Sequence, residues 1–257
     1  AIKKAVPVEK YEKAYNAGDR SPELIYNYVN ALNKSGQSSL KVANEYLRSQ
    51  SDLGTDFNLR FILMSVTEAD SRIFMLLEQY RNKIITQEGE AIFKEQVLVA
   101  CTATAKKAVT FSQVHLLDMA IAKMKSYYPE KAARFEVNAS MDFFLKGKDE
   151  KNYLKYCQIF VRDFISEDPD ALVRQARTLL QHFPEEKKSR EVAEEVLEIA
   201  AKKAQKSEYF LLLADVLNSH GKSGDAMKVL EKAAQLAASE GKEQVRRVEG
   251  MVKKIQS

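Results

Sequence analysis

Tryptophan is absent, and the 257 residues hold only nine glycines, five prolines, three histidines and two cysteines. Each shortage excludes something. Few turn formers leave little room for the tight turns of a sheet protein, so long helices with short connections are expected. No apolar run approaches the length of a membrane span, and without tryptophan an interfacial aromatic belt has no anchor. His115, His182 and His220 lie far apart with no HxxxH or HExxH spacing, so no metal site is expected. Cys101 and Cys157 form no CxxC. Each is expected to pack as a small apolar group, with a disulfide between them left open. A GxSxG elbow, a phosphate-cradling glycine loop and a local cysteine–histidine pair are also missing. The acidic pairs Glu185-Glu186 and Glu194-Glu195 read as solvated helix charges, not as a general acid and base. The expectation is a non-enzymatic chain without a cofactor.

What is present is apolar content of 45%, enough for a sizeable core, and charge at 30%. The 40 basic and 36 acidic residues are interleaved along nearly every segment, which describes a solvated mixed-sign surface. The net charge of +4 and the basic residues of the C-terminal segment make an anionic surface or a nucleic acid the weakest partner reading, since phosphate binding needs one-sided clustering. The chain opens Ala1-Ile2-Lys3-Lys4, without a methionine or an apolar signal segment, and is expected to be a processed product or an excised piece of a longer protein.

Periodicity points to helices throughout. Phe210, Leu213, Ala214 and Leu217 form one helical stripe that stops at Gly221; Ala226, Val229, Leu230, Ala233 and Leu236 form a second, with Ser223 as its expected N-cap. The small Ala214, Ala226 and Ala233 let the two helices approach closely. Ser21-Pro22 opens a helix carrying Ile25, Tyr28, Val29 and Leu32, ended by Gly36, and Ser38 or Ser39 restarts one with Val42, Ala43, Tyr46 and Leu47. Further helices are expected over 57–66, 73–80, 88–108, 111–127, 131–146 and 152–165, then from Asp168-Pro169 to Phe183, across Val192–Ala200, and over 244–255. That makes about thirteen or fourteen. Gly36, Gly147 and Gly221 are separated by 111 and 74 residues, three and two multiples of 37, with Thr110 and Pro184 on the same grid. A single helical-repeat domain over 1–257 is expected, with a weak subdivision near 51–86.

The order large, large, small, large, turn glycine, small, large, small in Ser207–Ser239 resembles a tetratricopeptide repeat, and degenerate versions surround Gly36 and Gly147. The resemblance implies an all-α, right-handed α-solenoid of about six hairpins plus a C-terminal cap helix. In such arrays the first helix of each hairpin lines a concave surface. The outward positions there are Glu23, Tyr26, Asn30 and Asn33 in the first hairpin, Arg134, Met141 and Phe144 in the central one, and Asp215 and Asn218 in the last. Asparagine and tyrosine at such places can engage a peptide backbone, so the implied partner is another protein or an extended peptide. The run YEKAYNAGDRSPELIYNYVNAL followed by ANEYL resembles the helical region after the thioredoxin domain of some exported bacterial thioredoxin-family proteins. That resemblance implies an accessory, substrate-positioning role for a thiol–disulfide domain in the same longer chain, in the periplasm or outside the cell.

Overall fold

A computed structural model describes residues 8–256; residues 1–7, which hold the Ala1-Ile2-Lys3-Lys4 opening, and residue 257 lie outside them. All regular structure among the described residues is helical: fifteen α-helices and one π-helical turn, without a strand. None of these helices is long and apolar enough to cross a membrane. The chain divides between Ala139 and Ser140 into two compact units.

The first unit contains α1 (Val8–Asn16), α2 (Pro22–Lys34), α3 (Leu40–Ser49), α4 (Asp56–Ser65), α5 (Arg72–Gln79), α6 (Arg81–Glu88), α7 (Glu90–Phe111) and α8 (Val114–Tyr127); α9 (Pro129–Lys146) contains the division. Its core is built from large side chains, with Phe61, Ile62, Ile73, Phe74, Leu77, Ile84 and Phe93 essentially excluded from solvent. Burying such a side chain contributes about 1.5–3 kcal/mol each. Buried polar ties run between these elements. Tyr46 donates to Asn58 Oδ1 at 2.9 Å, and the Ala69 N–H donates to Thr104 Oγ1 at 2.8 Å. Lys107 bridges Glu68 and Asp70 at 2.8 and 2.7 Å.

Helix α6 was not among the expected segments, because Ile84 is its only buried residue and no apolar stripe marks it. It is held by Arg81, whose guanidinium lies over the rings of Phe93 and Tyr127. Ile92 and Val114, apolar positions on the helices expected over 88–108 and 111–127, are 54% and 49% exposed, the inward places being filled by neighbours such as Phe93 and Leu117.

The second unit contains α10 (Glu150–Phe160), which runs into a π-helical turn at Val161–Ile165, then α11 (Pro169–His182), α12 (Lys187–Ala204), α13 (Ser207–Ser219), α14 (Ser223–Glu240) and α15 (Lys242–Gln256). The last five form successive antiparallel pairs: α11 packs on α12, α12 on α13, α13 on α14 and α14 on α15. Small residues make this possible. Ala176, Ala193, Ala200, Ala201, Ala214, Ala226, Ala233 and Ala237 are all fully buried, so the backbones sit close together.

The helix ends are fastened to one another by carboxylates. Glu240 at the end of α14 accepts from the backbone N–H and hydroxyl of Ser207 at the start of α13, and Glu150 accepts from Ser189 on α12 in the same way. The Ser207 bonds hold the Glu240 carboxyl below its usual range. Gly36 and Gly221 occupy the left-handed region at φ +72° and +76°, as turn glycines should. Gly147 does not; the left-handed residue after α9 is Lys148, at φ +56°. Ser223 likewise is not an N-cap. It is the first residue of α14, and its hydroxyl donates to Asn218 Oδ1 at 2.8 Å.

Candidate functional site

Three helices of the second unit, α11, α13 and α15, line an open cleft of about 620 Å³. Each arises from a clear local signal. Asp168 caps α11 by accepting from the Ala171 N–H at 2.9 Å, and Pro169 takes the first turn, where its missing N–H costs nothing. Leu172, Gln175, Ala176 and Leu179 then face the core. On α13 the core stripe is Phe210, Leu213, Ala214 and Leu217, and on α15 Val248 is buried.

The opposite stripes line the cleft, and they are in register. Asp170, Arg174 and Arg177 stand at one-turn steps on α11; Glu208, Leu212 and Asp215 do so on α13; Arg247 and Met251 do so on α15, continued by Lys254. Each member on α13 follows its counterpart on α11 by 38 residues and precedes its counterpart on α15 by 39. The cleft therefore has three cross-helix rows: Asp170–Glu208–Arg247, Arg174–Leu212–Met251 and Arg177–Asp215–Lys254. Direct bonds confirm the adjacency. Lys254 Nζ donates to Asp215 Oδ1 at 2.7 Å, and Tyr209 on α13 donates to Asp170 Oδ1 at 2.6 Å. The bond to Asp170, and then burial, push the Tyr209 phenol up to about 12, so it stays a donor across the physiological range.

The middle row makes an apolar floor. Leu212 and Met251 are half-buried there, with Val173 beside them and Arg174 at the α11 end. Of the carboxylates, Asp170 and Asp215 already accept hydrogen bonds from Tyr209 and Lys254. The guanidinia are less committed. Arg174 stands 3.8 Å from Asp168, both side chains being more than half exposed, and Arg177 makes no ion pair among the described residues. A second cleft, of about 560 Å³, lies where α12, α13 and α14 meet. Its charges neutralise each other: Glu194 holds His220 and Lys222, and Lys228 holds Asp225.

Of the residues expected to face a ligand, Asp215 alone lines the larger cleft. Asn218, one turn on, accepts from Ser223 at the hairpin turn. Phe144 stacks on Tyr156 with ring centroids 5.9 Å apart, and Met141 is buried, while Arg134 is exposed on α9. In the first unit Glu23 is exposed and Asn30 half-buried on α2. Tyr26 packs against Phe57 and Phe61, and Asn33 is used inside the fold, donating to the Met64 carbonyl at 3.2 Å and accepting from Ser39. The sequence reading missed Arg174, Arg177, Tyr209, Leu212, Arg247 and Met251. A register of 38 or 39 residues would have aligned their stripes; a grid of 37 laid on glycines does not.

The two cysteines are free and buried, and burial pushes both thiols up to about 12. Among the described residues no cluster of histidine, cysteine, aspartate and glutamate is arranged to hold a metal ion. Comparison with protein-family models matches none of them, and comparison with curated proteins finds no match.

Proposed function

We propose that this chain is a non-enzymatic helical-repeat module that binds an extended segment of another protein across α11, α13 and α15. In this reading the helices are degenerate tetratricopeptide-like hairpins, about six in a right-handed array, with α15 as the terminal cap. One observation carries it: three consecutive first-position helices present matched outward stripes 38 and 39 residues apart, over a half-buried apolar floor that the core does not use. Such rows suit an extended chain, whose side chains recur at fixed intervals, better than a compact small molecule.

The test is selection from a displayed random-peptide library on the wild-type protein and on Leu212→Glu, which puts a charge in the floor without touching the core. Peptides are expected to be enriched on the wild type and lost on the variant. Equal enrichment on both places the binding surface elsewhere. An accessory role beside a thioredoxin domain rests on the N-terminal resemblance; with both thiols buried and protonated at neutral pH, exchange chemistry would have to come from that other domain.

A further inference from the structure

Resting on the groove reading above, we propose that the segment it accepts carries an aspartate or glutamate side chain held between Arg174 and Arg177, with apolar side chains seated on Leu212 and Met251. Arg174 and Arg177 lie three residues apart on one face of α11, close enough to converge on a single carboxylate. Their forked donors match a carboxylate in two-point geometry, which a lysine would not. Nothing in the cleft already occupies them. Asp170 is taken by Tyr209, Asp215 by Lys254, and Asp168 approaches Arg174 only loosely.

The spacing sets the rest of the ligand. Neighbouring helices of a layer stand roughly 8–10 Å apart, and a ligand in the polyproline II conformation, with three residues per turn and about 3.1 Å per residue, covers that distance in about three residues with both side chains on one side. An acidic side chain over α11 therefore places an apolar side chain three positions along over Leu212, and a second one three further over Met251. Asp170 and Glu208, one turn away along α11 and α13, repel a carboxylate set in their row and favour the row of Arg174.

The experiment uses peptides recovered from the displayed library, resynthesised with amidated C-termini so that the only carboxylates are side chains. The recovered sequences are expected to carry an acidic residue three positions from an apolar one. Replacing that residue by its amide, Glu→Gln or Asp→Asn, should weaken binding to the wild type by about tenfold or more in fluorescence anisotropy at low salt, since hydrogen bonds to charged groups are the strong ones. On the double variant Arg174→Ala/Arg177→Ala the acid and amide forms should bind alike. Both arginines point to solvent, and an unchanged circular dichroism spectrum shows that the variant is folded. If acid and amide forms bind the wild type equally while Leu212→Glu abolishes both, the acidic preference is wrong and the groove stands. If Leu212→Glu binds as tightly as the wild type, or no peptide is enriched, the groove reading falls and the preference with it.

Discussion

The two units use different materials for the same all-helical task. The first fills its interior with Phe61, Phe74, Phe93 and large aliphatics and ties its helices with buried polar bonds; α3 to α6 are eight to ten residues long. In the second, Tyr153 is the only one of the largest fully buried side chains; from α11 on, wholly buried alanines stand among leucines and Phe210 where the helices meet, and these helices run to 13–18 residues. Alanine imposes no shape, so successive helices repeat the same approach and their outward stripes stay in register. Bulky rings impose individual geometry, and regularity is lost. The surfaces differ accordingly. Among the described residues seven large apolar side chains are left exposed, six in the first unit and only Ile199 in the second, so the charged cleft stands on a surface with little other apolar exposure.

The contrast can be broken by exchanging the two strategies. Phe61→Ala, at a position wholly excluded from solvent beside Tyr46, should cost about 3–5 kcal/mol in urea unfolding through the cavity it leaves. Ala214→Leu tests the other unit, where added volume should cost about 1–3 kcal/mol by forcing α13 off its neighbours. If Ala214→Leu is neutral, the close approach of small residues is not what keeps the second unit regular.

Alkaline pH provides a probe in each unit, because Cys101 lies in the first and Cys157 in the second. Burial raises both thiols from 9.0 to about 12. The unfolded chain therefore ionises first as pH rises. Their contribution to stability is complete below pH 9 and is lost progressively between 9 and about 12. Thermal midpoints measured across that range should fall, and Cys101→Ala and Cys157→Ala should each flatten part of the fall. An unchanged slope in both variants would show that the thiols are solvated. The smallest effect belongs to the cleft itself. Removing the Asp215–Lys254 pair with Lys254→Ala should change stability by less than about 1 kcal/mol, since both side chains are well exposed.

Most helices were legible in the sequence because their core faces repeat at helical spacing: Ile25, Tyr28, Val29 and Leu32 on α2, or Phe210, Leu213, Ala214 and Leu217 on α13, announce themselves. Helix α6 was not, since a single buried isoleucine and a cation stacked on rings from other helices leave no periodic trace. The candidate site was hardly legible at all. Residues such as Asn33 and Asn218 looked available by position and chemistry, yet a helix's outward stripe also serves the next turn and the next helix, and those partners are tertiary. Arg174 and Arg177 looked like ordinary surface charge until α13 was set beside them. The thiols were read as packed, and their burial agrees.

The registered rows have a further consequence for how such a protein can change. Core and cleft are written on opposite faces of the same three helices, so Leu172 and Ala176 can stay constant while Arg174 and Arg177 vary. Under the peptide binding proposed above, ligand preference is a short code, editable one position at a time without renegotiating the fold. A duplicated helix pair would lengthen the text that the code reads by about three residues.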